Sequence, residues 1–221
     1  MLMVSQLHGF NAHKKGGVSS LSLFGSANNG TTGGIVLPAS IIAGDVIVFF
    51  DGADGSALVA DTYPSGFTAA VPTMYDGSPN FTRRSISYKL AVGGEGGTTI
   101  DGFDATTDRH VAMVFRGNIP ITSVVVGSPA SEMSGSSVPA QQDCLASAGS
   151  APLVVFGFYA ASAAISTRGF NPAEDAEITP ATTFYTKYKI YNSSPVDTNV
   201  TQPGAPAGVG LCLASFYLEC S

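Results

Sequence analysis

The chain has 221 residues, 44% of them apolar and only 12% charged, and its 10 Lys and Arg against 16 Asp and Glu give a formal net charge of −6. A chain this long buries about 70% of its unfolded surface, so its core needs no disulfide or metal scaffold. The acidic balance argues against a nucleic-acid binder, which needs clustered Lys and Arg to displace counterions. No apolar run approaches the roughly 18 residues of a membrane-spanning helix.

Residues 1–20 read as an extended N-terminal arm. Lys14 and Lys15 follow its mildly apolar segment instead of preceding it, so no secretory signal is expected. Beyond it, helical periodicity is nearly absent and period-two alternation recurs. Residues 46–50 form a continuous apolar run, which suits a central strand covered on both faces. Asp51-Gly52 then reads as a turn. Ile86, Tyr88, Leu90 and Val92 alternate with Ser85, Ser87, Lys89 and Ala91, the pattern of a half-buried antiparallel strand. The glycines of residues 93–97 supply a turn leading into Thr98-Thr99-Ile100, which is β-type and not the helix start of a phosphate loop.

Val111, Met113 and Phe115 mark the next strand. Residues 129–149 are the weakest in pattern and read as a crossover. A second apolar run covers 153–158, a helical turn is expected near 172–177, and Cys212, Ala214, Phe216 and Leu218 share one face of a final strand. Cys212 and Cys220 on one strand stand about 26 Å apart at roughly 3.3 Å per residue, too far for a disulfide. With Cys144 they are expected to be free thiols.

The two halves echo each other. Residues 45–49 resemble 152–156; Pro64-Ser65-Gly66-Phe67 is echoed by Thr167-Arg168-Gly169-Phe170; Ser87-Tyr88-Lys89-Leu90 by Lys187-Tyr188-Lys189-Ile190; and 111–115 by 212–216. The expected fold is all-β, an antiparallel two-sheet sandwich of jelly-roll type. It would be one domain over 21–221, built from two pseudo-repeated Greek-key halves at about 44–117 and 151–218.

One set of residues resembles a known pattern. Gly44-Asp45-Val46-Ile47-Val48, Pro64-Ser65-Gly66-Phe67-Thr68, Ser87-Tyr88-Lys89-Leu90-Ala91, Gly94-Glu95 and Val114-Phe115-Arg116-Gly117 are similar to motifs of tailed-bacteriophage virion structural proteins. Many of those proteins carry Trp where this chain has Phe67, and this chain has no Trp. The resemblance implies a non-enzymatic β-sandwich of the virion: a capsid decoration or cement protein bridging neighbouring subunits. Its partners would be the major capsid protein or other virion proteins, with a homo-oligomer such as a trimer as the assembly. The alternative is a tail-associated module that recognises a host surface glycan.

Chemical motifs are sparse, and no catalytic residue, cofactor or metal is expected. His8, His13 and His110 have neither zinc spacing nor a G-x-S-x-G partner, and read as surface or edge histidines. Asp51, Asp54 and Asp61, and Asp101, Asp104 and Asp108, fall in two stretches that read as solvated turns, although paired carboxylates can serve glycoside hydrolysis. The loop from Asp51 to Ser56, with Asp51 and Asp54, is a candidate for calcium but lacks the full ligand set of a calcium loop. Tyr63, Tyr75, Phe81 and Phe103 read as loop aromatics that cap the fold, anchor a neighbour or stack on sugars.

Overall fold

The computed structural model describes residues 20–29, 33–54, 63–75, 82–102, 108–127, 130–132, 140–144, 152–161, 174–181, 184–193, 198–202 and 209–220. Among them every regular element is a strand. In chain order these are β1 (Leu21–Asn29), β2 (Ile35–Val36), β3 (Val46–Asp54), β4 (Thr68–Tyr75), β5 (Thr82–Leu90), β6 (Thr99–Ile100), β7 (Asp108–Gly117) and β8 (Ile121–Val126). They continue with β9 (Ala130–Glu132), β10 (Ala140–Cys144), β11 (Leu153–Ala161), β12 (Ala176–Ala181), β13 (Phe184–Tyr191), β14 (Thr198–Gln202) and β15 (Val209–Cys220). The chain is all-β, and its strand pairings are antiparallel.

The first large sheet has the order β1-β7-β3-β5-β4. The second has the order β12-β13-β11-β15-β8, with β9 also on β15. Two small sheets, β2-β6 and β10-β14, complete the set. The expected central strands are central: β3 lies between β7 and β5, and β11 between β15 and β13. Their registers run in parallel. Val48 stands opposite Tyr88 and Met113, and Phe156 stands opposite Tyr188 and Ala214.

Side chains of both large sheets meet in one apolar cluster. Val46, Val48 and Phe50 of β3 and Val111, Met113 and Phe115 of β7 join Val154, Phe156 and Phe158 of β11 and Ala214, Phe216 and Leu218 of β15. The alternation along each strand dictates this, since every second side chain shares a face. Edge-to-face rings tie the sheets together: Phe50 to Phe156 and Phe115 to Phe156, each at 5.5 Å between centroids, and Tyr88 to Phe216 at 5.3 Å. Such pairs add about 0.5–1.5 kcal/mol each beyond area burial. The edge strand β1 is anchored from far along the chain, because the side-chain amide of Asn192 accepts from Leu21 N at 2.6 Å and donates to Leu21 O at 3.1 Å.

Several expectations are corrected. Asp51-Gly52 is no turn but the continuation of β3. The strand over 85–92 ends at Leu90 and is buried on both faces at its centre, with Arg84, Ser85, Ile86 and Ser87 all at 1% exposure or less. No helix forms at the end of the 172–177 stretch, where Ala176 and Glu177 open β12; residues 172 and 173 lie outside the described residues. The chain crosses from the first sheet to the second at residues 118–120, not within 129–149, which holds β9 and β10. Cys212 and Cys220 do share one strand, and Cys220 is a free, half-buried thiol. The side chains of Cys144 and Cys212, the arm up to residue 19, and the Thr167 to Phe170 echo lie outside what is described.

Gly52 marks where the core tolerates no added atom. A Cβ there would sit 2.5 Å from Phe184 Cε2 and 3.1 Å from Phe158 Cζ, and both rings are at 1% exposure or less. Gly52→Ala is therefore expected to lower stability by about 1–3 kcal/mol, read from the urea midpoint, with partial recovery when Phe184→Leu is added.

Candidate functional site

β3 is apolar on both faces, so its second face also needs cover. Ile47 and Phe49, with Ala112 and Val114 of β7, point away from the shared core. They pack instead under Ile35, Leu37, Ile41 and Ala91, with Phe67 and Ile100 at the margin. The covering chain is residues 33–45 and 91–102, with β2-β6 at its centre. Two carboxylates pin this cover to the sheet.

The first is Asp45, at 1% exposure immediately before β3. It accepts from Arg116 Nε at 2.8 Å and Nη2 at 2.7 Å, and from Ile42 N at 3.0 Å. Two parallel N–H donors on one carboxylate make a strong, oriented pair. The hydrogen bond to Asp45 raises the Arg116 pKa above its ordinary value. Arg116 Nη2 also donates to Ser40 O at 2.8 Å, holding a residue whose φ of 67° is rare without glycine. The guanidinium stands over the Phe24 ring at 3.7 Å.

The second is Glu95. Its oxygens accept from Val92 N at 3.0 Å and Gly93 N at 2.9 Å, and its Oε1 lies 3.2 Å from Lys89 Nζ. Burial is the largest influence on this carboxyl and by itself raises its pKa. The Val92 amide, the Lys89 ammonium and the residue's own backbone amide together outweigh burial and hold the group below its ordinary value of 4.5. The positive φ of Gly93, 97°, and of Gly94, 89°, lets the loop curl round this carboxylate.

A third ionic group lies beneath β6. His110 of β7 is fully buried, with Nε2 3.2 Å from Asp51 Oδ1 and Nδ1 3.7 Å from Asp101 Oδ1. Nδ1 is also 3.2 Å from Gly33 O, a hydrogen bond in the tautomer that carries its proton on Nδ1. The Phe49 ring covers the imidazole at 5.3 Å between centroids. Asp51 is at 1% exposure, whereas the Asp101 side chain is 59% exposed. The expectation of solvated turn acids thus fails for Asp51, and that of a surface histidine fails for His110. The hydrophobic cover explains both, because it seals a face that alternation alone leaves open.

Asp51 stands beside Ser85 on one side and His110 on the other. Serine catalysis needs the imidazole between hydroxyl and carboxylate. Here the carboxylate is in the middle, and all three residues are at 1% exposure or less. Asp51 is likewise sealed from any sugar that a pair of acids would cleave. Calcium loses its loop as well, since Asp51 and Asp54 lie in β3 with backbones paired to β5. Among the described residues no group of three or more His, Cys, Asp or Glu is arranged to hold a metal ion. His8, His13, Asp61 and Asp104, like Phe81 and Phe103, lie outside the described residues. Tyr63 is half-buried, Asp108 opens β7, and Tyr75 closes β4.

Between the cover and the turn at residues 64–67 opens a cleft of about 430 Å³, lined by Phe67, Lys89, Glu95, Thr98, Thr99 and Asp101 among others. Phe67 is braced edge-on against Phe49 at 6.1 Å. Sequence reasoning singled out most of these positions but not their partnerships, Asp45 with Arg116, Lys89 with Glu95 and Asp51 with His110. It also missed the burial of Lys187, at 1% exposure on the second sheet, whose Nζ lies 2.8 Å from Glu174 and 3.2 Å from Glu177. No protein-family model, curated protein or solved structure matches the chain.

Two outcomes follow from the ionic groups. Asp51→Ala strands a buried imidazole and is expected to destabilise the fold by about 3–5 kcal/mol, read by urea titration at neutral pH. The lowered pKa of Glu95 means that its contribution is fully present above the unfolded carboxyl range, near 4.5, and is lost as pH falls through the lower folded value. The stability gap between the parent chain and Glu95→Gln should therefore be constant at neutral pH and shrink below about pH 4.5.

Proposed function

We propose that this chain is a non-enzymatic structural protein of a tailed-phage virion that decorates the capsid and bridges neighbouring subunits. The observation that carries the reading is the work done by the residues of the virion-like motifs. Asp45 of Gly-Asp holds Arg116 of Phe-Arg-Gly; Glu95 of Gly-Glu holds Lys89 of Tyr-Lys; Phe67 of Pro-Ser-Gly-Phe packs on Phe49. All are spent on fixing loop shape, none on presenting a reactive group.

The fold within this reading is a two-sheet sandwich of two repeated Greek-key halves. The matching strand orders support it, with β1, β7, β3, β5 and β4 corresponding to β8, β15, β11, β13 and β12. The registers support it too: Leu90 and Ile190 take equivalent places opposite Val46 and Val154, as do Phe115 and Phe216. This aligns Val46 with Val154, one residue away from the echo that pairs it with Leu153, and starts the second half near Ile121 instead of residue 151.

The pinned loops leave Val92 77% and Ile42 52% exposed. The loops that carry them adjoin, since Gly44 N donates to Ala91 O at 3.0 Å. Apolar side chains on loops already held rigid bind a neighbour with little ordering cost, and many identical sites multiply a modest contact. A surface poor in Lys and Glu loses less side-chain entropy at such contacts. The assembly in this reading is a homo-oligomer, a trimer being one arrangement, set on the major capsid protein.

The test is position in the intact particle. Tagged protein should label the head surface in many copies, and removing residues 1–17 should abolish binding. Val92→Ser with Ile42→Ser should lower occupancy without changing the melting temperature. Labelling confined to the tail, or no labelling of the particle, overturns the proposal.

A further inference from the structure

The cleft beside the Glu95 loop sets Phe67, Lys89 and Glu95 next to polar groups that the virion reading does not use. Phe67 is half-buried, and its edge contact with Phe49 fixes the ring as one wall. Polar groups also line it: Thr98 and Thr99, the backbone at Gly93 and Gly94, and the exposed carboxylate of Asp101. At Gly94 a Cβ would meet nothing within 4 Å, so this backbone is bare to an incoming ligand. The volume, about 430 Å³, falls within the range of small-molecule sites.

Charge narrows the ligand class. The lining holds one ammonium, Lys89, and two carboxylates, Glu95 and Asp101. Lys89 is engaged by Glu95 at 3.2 Å and Asp101 Oδ1 lies 3.7 Å from the buried His110, so the lining carries one carboxylate more than it has ammonium groups. That excess disfavours phosphate and acidic peptides. A ligand with one apolar face and several neutral hydroxyls fits: the ring C–H groups lie on Phe67, and hydroxyls donate to Asp101 and bond with the threonines and bare backbone.

We infer that this cleft is a binding site for a neutral saccharide, with Phe67 as the stacking wall and Asp101 as the principal acceptor. The site is independent of where the protein sits in a particle, so a failed labelling experiment and a failed saccharide titration are separate results.

The test is a titration of the isotopically labelled full chain with neutral oligosaccharides of glucose, galactose, mannose and N-acetylglucosamine, and with uronate and sialic acid sugars as the anionic arm. At least one neutral sugar should shift the amides of Gly93, Gly94 and residues 98–101 saturably at millimolar concentration. Asp101→Asn and Phe67→Leu should each weaken that binding about tenfold or more, and Val125→Ser, on the second sheet, should leave it unchanged. Phe67→Leu preserves apolar volume, and its melting temperature separates lost stacking from lost fold. The inference is overturned if no neutral sugar shifts these amides, if anionic sugars bind better, or if folded Asp101→Asn and Phe67→Leu bind as the parent does.

Discussion

The structure depends on keeping one strand dry on both sides. From Val46 to Asp51 each residue of β3 is at 1% exposure or less, and a strand in that condition needs a layer over each face. The second large sheet supplies one, through the aromatic contacts of Phe50 and Phe115 with Phe156. The loops around β2 and β6 supply the other. Loops are poor lids by themselves, because their backbone must be ordered without a long ladder of strand bonds. The carboxylates of Asp45 and Glu95 solve this locally, the first gathering one backbone amide and the second two, each with one cation, at the seam between loop and sheet.

How much of this was legible depends on the range of the signal. The continuous apolar runs identified β3 and β11 as central, and alternation located β7 and β15, because both patterns are local consequences of the pleat. Asp51-Gly52 misled for the same reason: the dipeptide favours a turn locally, but here the carboxylate finds His110 on the neighbouring strand and the glycine makes room for Phe158 and Phe184. Tertiary contact overrode propensity. The pairing of Asp45 with Arg116 spans 71 positions, and nothing in the spacing announces it. The buried Lys187 was equally hidden, since its partners Glu174 and Glu177 come from across a β12–β13 pairing that the sequence did not resolve.

The same pattern bears on function. Ionic groups that elsewhere mark catalysis are here enclosed and mutually engaged: Ser85, Asp51 and His110 in a row with the wrong member central, Asp45 and Glu95 held by their cations. Among the described residues, Ile42 and Val92 are exposed and Phe67 lines a cleft.

The amide of Asn192 has one more implication. By mimicking a peptide group it completes the hydrogen bonding of Leu21, at the start of the first sheet, from near the end of β13. During synthesis on a ribosome the earliest strand therefore waits for most of the polypeptide to emerge before its margin is secured. A nascent fragment ending before residue 192 lacks the side chain that caps the Leu21 end of this edge strand, and an uncapped strand edge is a place where other chains can pair.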